Sequence, residues 1–224
     1  MRKIIIATLF VATLPVAHAG VIIGGTRLIY NGAKKESSIT ITNPDDINYL
    51  IQSWVAPEHE GESKAPFIIT PPLFRLKGSQ ENILRVVKTP AQLPNDRESL
   101  FWLDIKSVPA SKKSESSNTL QIAVKTRLKL IYRPNGISAT PESVANKITW
   151  SKSGNTLKAN NPTPFYMNFQ QVTLNGKAIS QANYLPPMSS QTYTLNAGMQ
   201  GTTVAWSIIN DYGGISKTFT ASAH

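Results

Sequence analysis

Short runs in which apolar and polar residues alternate, each closed by turn residues, fill this chain, while helix-period patterns are almost absent. Alternation at period two gives a strand one apolar and one polar face, so the pattern predicts an all-β chain. Ser38 to Thr42 alternates and stops at Asn43-Pro44. Tyr49 to Val55 runs toward Pro57, and Asn82 to Lys88 and Leu100 to Val108 follow. The longest run, Thr119 to Arg133, ends at Pro134-Asn135-Gly136. Beyond it, Lys147 to Ser151 and Thr156 to Ala159 flank Ser153-Gly154. Val172 to Leu174 and Lys177 to Ile179 flank Asn175-Gly176, a pair suited to a two-residue hairpin because both residues tolerate positive φ. Thr192 to Leu195 and Thr203 to Ile209 complete the second half. Several short strands in each half predict two sandwiches, with the junction between Pro134 and Pro141.

The first residues read as a secretory leader. Arg2 and Lys3 precede the apolar stretch Ile4 to Val16, and Ala17-His18-Ala19 supplies a small-x-small cleavage pattern. The stretch is shorter than the roughly 20 residues a spanning helix needs, and no later segment is long enough either, so no membrane insertion is expected. The expected division is 1–19 signal peptide, 20–138 first domain and 139–224 second domain. Cleavage removes two of the 23 basic residues and none of the 13 acidic ones, leaving +8. Secretion and the even spread of these charges argue against nucleic acid and leave an acidic partner open. The chain has no cysteine, which removes thiol chemistry and leaves stability to the cores alone.

An enzyme is not expected. After the leader only His59 and His224 remain, and no nucleophile-elbow, zinc-binding or phosphate-loop motif occurs. Glu58, His59, Glu60 and Glu62 cluster in a loop, where acids are ordinarily solvated. No cofactor and no metal is implied. Leu120, Ile122 and Val124 share one face of the longest run, continued by Leu128, Leu130 and Tyr132. A strand of this type ordinarily fills its own core. Its length, against a usual 5–6 residues, suggests an edge kept for a partner, since an exposed apolar edge is otherwise an aggregation hazard. Lys112 to Asn118 reads as an exposed loop.

Here the sequence resembles a known family. Leu120-Gln121-Ile122 with Leu128 to Pro134 is similar to the last first-domain strand of PapD-like periplasmic pilus chaperones of the chaperone–usher pathway. Collinear blocks agree: Thr26 to Tyr30, Thr70 to Leu76, Leu93 to Trp102, Asn161 to Tyr166 and Ile209 to Gly214. The short, cysteine-free segment between Leu103 and Thr119 resembles the short-loop subgroup, and the whole is closest to chaperones of type 1-like fimbriae.

The resemblance implies two immunoglobulin-like β-sandwich domains in a boomerang arrangement. It implies a periplasmic protein that caps pilin subunits and the adhesin of a fimbrial system by lending an edge strand, then delivers them to an outer-membrane usher. On this reading Leu120, Ile122 and Val124 form the donor strand, each contributing roughly 1.5–3 kcal/mol when buried. Arg27 and Lys129 anchor the pilin's C-terminal carboxylate, and Glu98, Arg133 and Asp211 tie the domains together. Lys129 has odd parity and the donor residues even. Either a bulge intervenes, or Lys129 reaches the cleft from the strand's other face. The competing expectation is a secreted immunoglobulin-like binding module, an adhesin or a carbohydrate binder. Trp54, Trp102, Trp150 and Trp206 all fall in expected strands, where core packing is expected.

Overall fold

The computed structural model describes residues 20–110 and 120–224. The leader and the Lys112 to Asn118 loop lie outside the described residues. The first half carries β1 (Ile22–Ile23), β2 (Arg27–Asn31), β3 (Glu36–Asn43), β4 (Tyr49–Pro57), β5 (Phe67–Thr70), β6 (Leu73–Leu76), β7 (Gln80–Lys88), β8 (Ser99–Pro109) and β9 (Val124–Arg133). They form a five-stranded sheet, β2-β9-β8-β4-β6, facing a four-stranded sheet, β1-β3-β7-β5. Alternation on both inner faces fills the space between them: Ile39 and Ile41 of β3, Leu84 and Val86 of β7, Leu103 and Ile105 of β8, and Leu128 and Leu130 of β9 are buried in one cluster.

Arg133 ends β9, and a short connection leads to a one-turn helix, α1 (Pro141–Val144). This turn forms where Thr140 and Ser143 exchange a capping box and Pro141 occupies the first turn. The second half continues with β10 (Thr149–Ser153), β11 (Thr156–Asn161), β12 (Met167–Leu174), β13 (Lys177–Ala178), β14 (Tyr184–Leu185), β15 (Ser189–Thr194), β16 (Thr203–Ile208) and β17 (Phe219–Ser222). One sheet is β10-β11-β15; the other is β13-β12-β16-β17, with β14 beside β12. Asn175 (φ 46°) and Gly176 (φ 78°) turn β12 into β13 in the left-handed region, as a two-residue hairpin requires. Trp150, Trp206, Met167 and Tyr193 lie in the core.

The all-β, two-sandwich reading agrees with this architecture. Two details differ. β9 begins at Val124, so Leu120 to Ala123 stand outside the ladder. Trp54 and Trp102 do not enter the core as expected. Both are only half-buried, beneath the side chains of Lys125 and Arg127, which lie 5.5 Å from their respective ring centroids. A third apolar cluster joins the halves: Leu100 of β8 and Ile131 of β9 pack with Tyr166 from the second domain.

Candidate functional site

Strand β9 is the origin of the site. It runs antiparallel to β8 without a register break from Val124 opposite Ser107 to Tyr132 opposite Ser99. No bulge separates Val124 from Lys129, so parity holds along β9. Leu128 and Leu130 turn into their own core, while Lys125, Arg127, Lys129 and Ile131 take the opposite face. Lys129 therefore reaches the interdomain face from the other side of the strand, the second of the two routes open in the sequence.

The apolar side of the run from Leu120 to Leu130 divides where it enters β9. Leu130 is fully buried, whereas Leu120, Ile122 and Val124 are 85%, 65% and 51% exposed. The backbone edge changes along the same strand. β2 pairs in parallel with Lys129–Arg133 only, so among the described residues no strand covers the outer edge of β9 from Val124 to Leu128. Backbone groups on an uncovered edge remain available for pairing. Ahead of the strand, the Gln121 side-chain amide donates to the Pro109 carbonyl, tethering the segment to the end of β8.

The same parallel pairing brings Arg27 and Lys129 together as Cα partners, on strands about 4.8 Å apart. Arg27 Nη1 donates to the Ile209 carbonyl at 3.2 Å, and its Nε is buried without an acceptor among the described residues. Burial pulls Arg27 below its ordinary value, with Asp211 acting against it. Lys129 Nζ donates to Asn168 Oδ1 at 2.5 Å and sits 4.6 Å from the ring centroid of Tyr184. Burial, then the charge of Arg27, lowers Lys129 to about 8, while Glu58 acts in the opposite direction. Neither cation has an ion pair among the described residues. Two adjacent, half-buried positive groups are suited to an anion that supplies the missing acceptor.

Glu98, Arg133 and Asp211 are also brought together. Arg133 Nε donates to Glu98 Oε1 at 2.7 Å, and its Nη1 and Nη2 donate to the two Asp211 oxygens at 2.7 and 2.8 Å. Glu98 Oε2 accepts from the Tyr166 backbone N–H at 2.8 Å. The network spans both domains and is buried around Glu98, unlike an ordinary surface ion pair. Burial raises Glu98 to about 7, although Arg133 and the Tyr166 N–H draw it downward. Burial acts to lower Arg133, yet its bonds to Asp211 and the charge of Glu98 hold it above its ordinary value.

One site residue was read incorrectly from sequence. Glu58, expected to be solvated, has a side chain only 15% exposed. Its two oxygens accept from Tyr166 Oη at 2.8 Å and Tyr184 Oη at 3.0 Å, both from the second domain. Trp102 Nε1 donates to its backbone carbonyl at 3.1 Å. A signal was present: the alternation Gln52, Trp54, Ala56 along β4 continues onto Glu58, placing it on the face that bears Trp102. No group of acids and histidines able to hold a metal occurs among the described residues.

Residues 20–138 match the family model described as "Pili and flagellar-assembly chaperone, PapD N-terminal domain", and residues 143–220 match "Pili assembly chaperone PapD, C-terminal domain". The chain is 42% identical to the probable fimbrial chaperone LpfB of Escherichia coli O157:H7 over 208 residues, 92% of this chain and 89% of that protein. It is 41% identical to the chaperone protein FimC of Escherichia coli K12, over 91% of this chain and 85% of that one. Among solved structures, the Salmonella enterica SafB chaperone, crystallised with the SafA pilin, superposes with a TM-score of 0.83 at 38% identity, covering 92% and 97% of the two chains.

Proposed function

We propose a role for this chain from one premise: it belongs to the family of PapD-type pilus-assembly chaperones. It acts in the periplasm after removal of residues 1–19, binding unfinished pilin subunits and the adhesin of a fimbrial system and delivering them to an outer-membrane usher. The observation that carries this reading is the uncovered edge of β9, with Leu120, Ile122 and Val124 exposed beside it and Arg27 and Lys129 one strand-width apart at its far end. That SafB, so similar to this chain, was solved with a pilin supports the choice of partner.

The mechanism uses no nucleotide. A pilin that lacks its last strand offers an open sheet edge, and strand addition, of which chaperone–pilin pairing is a known instance, satisfies its backbone groups irrespective of side-chain identity. The three donor side chains enter the pilin's groove. Arg27 and Lys129 receive its terminal carboxylate, and that anchor sets the register, because a one-residue slip would turn every apolar side chain outward. The Glu98–Arg133–Asp211 network holds the second domain against β9, so that both cations stay at the cleft. Periplasmic co-expression of the Arg27→Ala and Lys129→Ala variants with a pilin from the same fimbrial cluster tests this. Loss of soluble complex with unchanged chaperone level is expected; wild-type yield from both variants would remove the anchor.

A further inference from the structure

Glu58 is held at both ends. Its backbone carbonyl is fixed to the first domain by Trp102, while its carboxylate accepts from Tyr166 and Tyr184 of the second. Charge-assisted hydrogen bonds of this kind are about twice as strong as neutral ones, and both hydroxyls stay protonated. Burial and then Glu58 raise Tyr184 to about 12 and Tyr166 higher still. The two tyrosines are not equivalent. Both rings pack at the cluster of Leu100 and Ile131, their centroids 6.0 Å apart, but Tyr184 is the one that faces Lys129 Nζ.

We propose that Glu58 is a positioning residue for the carboxylate anchor: by tethering the Tyr184 hydroxyl it holds that ring against Lys129 and keeps the ammonium at the cleft. This rests on the anchor reading above. Glu58 and Lys129 belong to the first domain and Tyr184 to the second, so Lys129 is fully seated only while the domains are docked. The charged and titratable groups facing Lys129 are Arg27 from β2, Glu58 beyond β4, and Tyr184 from β14. His59 lies beside Glu58, with Nε2 3.9 Å from Oε1, and its side chain is largely exposed.

The test follows the Lys129 side chain by NMR in the full lysine-labelled chain from neutral to alkaline pH, with pilin co-purification in parallel. The parent midpoint is expected near 8. Glu58→Gln keeps the shape and removes the charge, and should lower that midpoint by about half a unit or more. Tyr184→Phe keeps the ring but not the tether; it should move the midpoint and reduce pilin yield several-fold. Tyr166→Phe should do neither to the same degree. If Glu58 merely glued the domains, the two tyrosine variants would behave alike. That outcome overturns the proposal, as does an unmoved midpoint in both Glu58→Gln and Tyr184→Phe. Should Glu58→Gln fail to fold, the tyrosine pair decides alone. Full pilin yield from Lys129→Ala would strike down the anchor itself, whereas lost yield there with unmoved midpoints strikes down only the positioning.

Discussion

At the scale of single residues, Lys129 and Glu98 are held away from their ordinary protonation behaviour, and each has a consequence that can be measured. Lys129, lowered to about 8, carries its charge at neutral pH and loses it as pH rises through that value. Capture of a carboxylate-terminated pilin should therefore weaken above about pH 8, while Arg27 keeps a residual attraction. Binding measured across that range checks this. Stability follows the opposite sign: a depressed lysine contributes stability at alkaline pH that is lost as pH falls through about 8. Glu98, raised to about 7, contributes stability at low pH that is lost as pH rises through 7. Glu98→Gln should flatten the melting temperature between its unfolded value and neutrality. Removing its partner is harsher. Arg133→Ala leaves a buried carboxylate uncompensated and should cost about 3–5 kcal/mol in urea unfolding, with a smaller loss at acid pH where Glu98 binds a proton.

At the scale of the element, β9 shows one pattern serving two purposes. Leu130 and Ile122 are both apolar and share parity, so nothing local distinguishes them. Leu130 lies within the β9 ladder and is fully buried in its own core, whereas Ile122 precedes the strand, outside the ladder, and is 65% exposed. Opposite phenotypes should result. Leu130→Ala should destabilise the first domain by about 2–5 kcal/mol through lost burial and a cavity. Ile122→Asp should leave the melting temperature within about a degree or two, as exposed substitutions ordinarily do, and abolish pilin co-purification. Comparable destabilisation by both would mean that Ile122 belongs to its own core.

At the scale of the whole molecule, two clasps of carboxylates join the domains, Glu98 with Asp211 around Arg133, and Glu58 against two tyrosines. Glu98 accepts from Arg133 and the Tyr166 backbone, and Glu58 accepts from the Tyr166 and Tyr184 hydroxyls. Leu100, Ile131 and Tyr166 form an apolar floor between them. Disruption of both clasps by Arg133→Ala with Glu58→Ala should loosen the domains by an amount that departs from the sum of the two single changes, since the two share Tyr166. Interdomain distances from paired spin labels would report it; strictly additive effects would mean that the clasps act independently.

Period-two alternation determined the all-β class, the strands around Ile39, Ile51, Leu84 and Leu103, and the turn at Asn175-Gly176, because these depend on local sterics and on which face is apolar. Collinear motifs singled out Arg27, Lys129, Glu98, Arg133 and Asp211. Tertiary structure decided where β9 loses its neighbour, that Trp54 and Trp102 lie outside the core under cations, and that Glu58 meets two tyrosines more than 100 residues away. Alternation says only that a residue faces one side or the other. Whether that side meets solvent, a core or a second domain depends on strands and loops brought together from distant parts of the chain, and no local pattern contains that information.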